Sequence, residues 1–167
     1  MRMKRVKKIV GRLRRLRRSA HHERGTALAE LAIVLPLFAV LFAATAEFGR
    51  FYYGYTTLAK ASRVGARYLA TAAVNGTEDA TAKNLVVYGN VNGTGTPVMP
   101  GLTTANVTIT RAGGVAVLPQ TVTIQVVNYK YQPLFDLGKL INSPTLTLNI
   151  DMKPSVTMRY LLTQPPL

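Results

Sequence analysis

The sequence predicts an α+β protein: a long amino-terminal transmembrane helix followed by a small head built on an antiparallel β-sheet. Three observations predict it. Residues 27–46 form an apolar run whose only ionisable side chain is Glu30. Beyond that run, apolar and small residues recur at alternating three- and four-residue steps to about residue 73. After about residue 105 the period changes to two, in Val-, Ile- and Thr-rich stretches.

The chain opens with a basic leader, residues 1–25, which holds eleven Lys and Arg against the single acid Glu23. This segment therefore accounts for most of the formal net charge of +14. Alone, such a stretch suits nucleic acid, an anionic lipid surface, or the cytoplasmic flank of a membrane span. The adjoining apolar run decides among them. Twenty residues at 1.5 Å each give about 30 Å, the thickness of a bilayer's hydrocarbon core. Flanking cations then place the amino terminus in the cytoplasm and the remainder in the periplasm or outside. A nucleic-acid partner leaves the apolar run without a purpose and is not expected.

Two processing signals compete here. Ala44-Thr45-Ala46 has the small-x-small form of a signal-peptidase site, which would release a soluble head starting at Glu47. The apolar run is longer than a signal's usual core and contains Glu30 and Pro36. The second signal is Gly25, at the membrane boundary, with Thr26 after it and Glu30 five residues beyond.

A carboxylate deep in a membrane helix costs about 2.5–3.5 kcal/mol on insertion scales, so Glu30 needs a partner or an interface. Cutting after Gly25 would create an ammonium on Thr26, four residues away and on the same helical face. Otherwise Glu30, one turn inside the boundary, reaches back to headgroups and water. Pro36 removes one backbone donor, which predicts a kink or local melting, with or without a role in assembly.

The helix is expected to run on to about residue 73. Phe51, Gly54, Leu58, Ala61, Gly65, Tyr68 and Ala72 form a narrow seam of the kind by which helices pack together. Tyr52, Tyr53 and Tyr55 stand where an aromatic belt meets headgroups, and Lys60, Arg63 and Arg67 supply a solvated side. Asn75-Gly76 reads as the helix stop. The head, residues 76–167, opens with Thr77-Glu78-Asp79, a cap and two acids suited to a helix amino end. "NLVVYGN" is either the rest of that helix or a strand, and the glycines and prolines between Gly89 and Gly101 mark a long loop. "NVTIT", "QTVTIQVVNYKY", "TLTLNID" and "SVTMRYL" then read as four strands. Gly113-Gly114 is the expected first hairpin and Asp151 to Pro154 the last. "QPLFDLGKLI" is either a short core-closing helix or a partner surface.

The inventory of side chains disfavours catalysis. His21 and His22, the chain's two histidines, lie in the leader, and there is no cysteine. No nucleophile–base pair, thiolate or His metal site is expected, and no cofactor or small-molecule substrate. Glu47, Glu78, Asp79, Asp136 and Asp151 read as scattered surface charges.

The stretch "RGTALAELAIVLPLFAVLFAATAEFGRFYYGYTTLAKASRVGARYLA" resembles the start of the TadE-like family, the minor pilins or pseudopilins of the tight adherence (Flp) pilus system. The resemblance rests on a Gly, Ala-rich, Glu start together with Leu35-Pro36-Leu37, Glu47-Phe48-Gly49-Arg50 and Gly65-Ala66-Arg67-Tyr68. Leu31 departs from it, standing where an aromatic often follows the Glu. The resemblance implies a pilin-like lollipop, cut after Gly25 by a prepilin peptidase and anchored in the bacterial inner membrane with its head in the periplasm. It implies as partners other TadE-like minor pilins and the major pilin, with Glu30 pairing with an amino terminus. Glu30, Pro36, Glu47, Gly54, Ala61 and Gly65 are the expected assembly and helix-packing positions. The rival expectations are a secreted binding module released after Ala46 and an uncut single-span envelope scaffold.

Overall fold

A computed structural model describes residues 2–135, 138, 142 and 149–163, with side chains from residue 25 onward. The chain forms two compact units, residues 1–46 and 47–167. Helix α1 (Arg2–Leu69) supplies every described residue of the first and the opening element of the second. The sequence division at residue 75 sets the helix apart from the head; packing instead groups Glu47–Leu69 with it.

In the first unit, Leu28, Leu31, Ile33, Leu35, Leu37, Phe38 and Phe42 are all exposed. Apolar side chains on every side of a helix call for an apolar surrounding. The described part of α1 contains a stretch with mean hydropathy 2.4, long and apolar enough to cross a membrane. A single-pass membrane protein is what this helix fits. The expected melting at Pro36 is absent: α1 is continuous through it, since the ring removes one ladder bond while helical bonding continues on either side.

The second unit places α1 and a second helix, α2 (Gly76–Tyr88), over a three-stranded antiparallel sheet in the order β1-β2-β3. The strands are β1 (Val107–Val115), β2 (Leu118–Val126) and β3 (Ser155–Arg159). Period-two patterning orients β2: Val122, Ile124 and Val126 are fully buried, while the residues between them are partly exposed. They meet Leu58, Ala66 and Leu69 of α1, Ala82, Val86 and Val87 of α2, and Leu102 and Met152 in one core.

Several boundaries differ from the sequence reading. Helix α1 ends at Leu69, where Thr71 N–H donates to Tyr68 O and tightens the last turn. Asn75 does not stop α1; it caps α2, its side chain accepting from Glu78 N–H at 2.8 Å. "NLVVYGN" is helical to Tyr88, and Gly89 closes it in the left-handed conformation at φ 71°.

The first hairpin turns at Ala116-Val117, not at Gly113-Gly114. Those glycines lie within the ladder at positive φ, and a Cβ on Gly114 would stand 2.2 Å from Leu118 O. They mark close backbone approach, not reversal. Nor is Asp151–Pro154 a turn between two strands. Ile150 O accepts from Tyr131 N–H, Met152 N–H donates to Tyr129 O, and Pro154 O accepts from Val126 N–H. The segment therefore runs beside the continuation of β2. Between those bonds Val127 and Asn128 oppose Lys153 alone, and Asn128 takes φ 53°: a one-residue bulge. Residues 145–148 of the third expected strand, "TLTLNID", and half of "QPLFDLGKLI", including Asp136, lie outside the described residues.

Candidate functional site

The sequence-predicted positions separate into two groups. Gly25, Thr26, Glu30 and Pro36 are exposed on α1 in the first unit. A Cβ built on Gly25 would meet nothing within 4 Å, so its surroundings are open.

Glu47, Gly54, Ala61 and Gly65 belong to the second unit, and the seam they define faces this chain's own head. A Cβ on Gly65 would stand 2.6 Å from Val86 Cγ2, 2.8 Å from Ile124 Cδ1 and 3.2 Å from Ala82 O. At Gly54 the nearest atoms would be the methyl ends of Met99 and Met152, at 2.9 and 3.2 Å. Leu58, between them, is fully buried, and Ala61 packs against the core. The seam thus packs on α2, β2 and the two methionines of this chain's own head.

Glu47 is not a surface charge. Only 1% of it is exposed. Its Oε2 accepts from the Tyr131 hydroxyl at 2.7 Å, and its Oε1 accepts from Leu134 N–H at 3.1 Å and Arg50 Nη1 at 2.9 Å. Phe51 lies edge-on to the Tyr131 ring at a centroid separation of 5.5 Å. Burial of Glu47 favours the neutral acid, but the bonds from Tyr131, Leu134 and Arg50 and the Arg50 charge outweigh it. They hold the carboxyl below the ordinary value. Burial first, and then the Glu47 carboxylate, push the Tyr131 hydroxyl up to about 12. A satisfied, enclosed carboxylate is placed to fasten the Tyr131–Leu134 segment to the first turn of the head, not to exchange protons with a substrate.

Three other acids also have partners. Glu78 accepts from the Tyr68 hydroxyl, joining α2 to α1. Asp79 takes both guanidinium nitrogens of Arg111, joining α2 to β1. Asp151 makes an exposed pair with Lys153. Among the described residues no three His, Cys, Asp or Glu side chains group as a metal would require.

Sequence reasoning missed Tyr131 and Leu134 as partners of Glu47, because 84 and 87 residues separate them from it. The available signal was local: an acid directly after an apolar run, with Arg three positions on, suits an i,i+3 pair that accompanies burial as readily as exposure.

Against known proteins, no curated protein and no solved structure matches the chain. The protein-family model described as TadE-like protein matches residues 25–67. Its limits enclose Gly25, Glu30, Pro36, the Glu47–Arg50 pair and the seam from Gly54 to Gly65. From Gly25 to Arg67, through the apolar run and the helix that the head packs on, the chain is similar to TadE-like proteins.

Proposed function

We propose that this chain is a minor pilin or pseudopilin of a tight adherence pilus, cut after Gly25 by a prepilin peptidase. It is held in the inner membrane by residues 27–46, its leader in the cytoplasm and its head in the periplasm. Its role is structural, not enzymatic: with other TadE-like minor pilins and the major pilin it helps initiate, cap or assemble the fibre for surface adhesion. The observation that carries this reading is the TadE-like match, which opens at Gly25 itself and extends beyond the apolar run into the head's first helix. Exposure of Gly25, Thr26 and Glu30 on one accessible stretch of α1 supports it, since a peptidase must reach the cut.

The test is Gly25→Leu in cells that make the pilus. The expected result is a larger, uncut species in the inner membrane and loss of piliation. Unchanged mobility and normal piliation would refute the assignment. One observation favours a second reading: the compact second unit begins at Glu47, so release after Ala46 would leave it whole. That reading predicts a head in the soluble fraction, which the same fractionation detects.

A further inference from the structure

The exposed apolar side chains of the head include a group where α1 leaves the apolar run. Phe48 is 71% exposed, one residue past Glu47 and two past Ala46. Tyr52 and Tyr53 follow, both well exposed. The chain contributes two more from far along the sequence: Leu134 and Phe135, 71% and 56% exposed. The Leu134 N–H bond to Glu47 Oε1 fixes these two within a turn of residue 47.

Their arrangement identifies what covers them. At 3.6 residues per turn, Phe48, Tyr52 and Tyr53 lie about 100°, 140° and 240° round the helix from Glu47. Leu134 and Phe135 stand on the Glu47 side. The apolar groups therefore surround the helix instead of forming one stripe. A partner helix would cover a single side, whereas a bilayer interface covers all of them at one depth. The depth is set by residue 46, the end of the apolar run. Phenylalanine and leucine enter the acyl boundary and tyrosine sits among headgroups. Arg50, its side chain 46% exposed at the same level, suits anionic phosphates.

We propose that Phe48, Tyr52, Tyr53, Leu134 and Phe135 form a lipid-contact collar, and that Glu47 is the latch presenting the Leu134–Phe135 part of it to the membrane interface. The inference rests on the reading of residues 27–46 as a membrane span. With Leu134 and Phe135 inserted at the base of the head, the head rests on the bilayer through two attachments and not by a helix alone. Withdrawal of the chain from lipid must then strip the collar as well as the span.

Absence of cysteine allows single-cysteine labelling of the full chain. Phe42→Cys, Phe135→Cys and Val117→Cys would each carry an environment-sensitive fluorophore. Val117, exposed at the hairpin tip, stands at the other end of β2 from Tyr131, about 30 Å away along the nine residues of that strand at about 3.3 Å each. The proteins are reconstituted singly in phosphatidylethanolamine–phosphatidylglycerol vesicles with lipids spin-labelled near the carbonyl. The expected result is blue-shifted, lipid-quenched emission at 135, independent of protein-to-lipid ratio, and neither effect at 117. A label at 42 that is quenched while 135 stays solvent-like overturns the collar and leaves the span standing. Solvent-like emission at 42 overturns both. A blue shift at 135 without lipid quenching, rising with protein density, assigns the surface to a second copy and overturns the lipid proposal.

Discussion

Replacing Glu47 tests the fastening of the head's second segment to α1. Glu47→Ala removes the carboxylate that accepts from the buried Tyr131 hydroxyl, the partly buried Leu134 N–H and the Arg50 guanidinium, leaving the hydroxyl only the long 3.4 Å contact to the backbone oxygen of residue 47. Stranding a buried donor costs about 1–3 kcal/mol. The Arg50 bond adds little, because that side chain is 46% exposed and water replaces the lost partner. A loss of about 3 kcal/mol in head stability is expected, mostly through Tyr131. Tyr131→Phe alone leaves Oε2 without its donor but keeps the Leu134 and Arg50 bonds, so its loss is smaller, about 2 kcal/mol. The double variant strands neither group, so the two losses are not additive, with a coupling of about 1.5 kcal/mol. Denaturant unfolding of the full chain in detergent micelles, followed by tyrosine fluorescence and near-ultraviolet dichroism, measures this cycle. Both signals report the second unit, where all eight tyrosines lie. Losses that add to within about 0.5 kcal/mol would refute the latch as a coupled unit.

Gly65→Ala should destabilise the same transition by about 1–3 kcal/mol, because its Cβ meets Val86 and Ile124 inside contact distance; an unchanged midpoint would mean that the core yields there freely. The latch also sets a pH window. Glu47 is shifted down, so its contribution is present above the ordinary carboxyl value of 4.5 and is lost as pH falls through the lowered one. Tyr131 is shifted up, so its contribution is present below 10 and is lost as pH rises through about 12. Tyr131→Phe should shrink the alkaline arm of the stability profile, part of which Tyr68 and Tyr129, also shifted up, retain, and should shrink the acid arm too, because the Tyr131 bond is the largest of those that lower Glu47. Glu30→Gln should leave cleavage and membrane residence intact and reduce piliation, since an amide cannot neutralise the Thr26 ammonium. Normal piliation with full processing would leave Glu30 a carboxylate that reaches for water, and loss of processing would make it a peptidase recognition residue.

The parts of this protein that composition and period control were legible in the sequence. The apolar run, the helix beyond it and the shift to alternation after residue 105 are local patterns, and the structure has α1, α2 and the sheet where they lie. Identity of partners was not legible. The small-residue seam from Gly54 to Gly65 announces close packing, but no period distinguishes a neighbour's helix from the chain's own β2 and α2. Glu47 reads as a surface charge because its donors arrive from 84 and 87 residues away. Gly113 and Gly114 read as a turn because positive φ serves reversal and close strand approach alike; only the register Gly114↔Pro119 separates the two.

We propose that this chain, similar to TadE-like proteins over residues 25–67, is matured at its membrane boundary and keeps its span. Intact-mass and amino-terminal analysis of the protein extracted from membranes of cells with an active pilus system tests it most directly. A mature chain beginning at Thr26, recovered from the inner membrane or the fibre, is the predicted result. A chain beginning at Glu47 in the soluble fraction, or one retaining Met1, would contradict it.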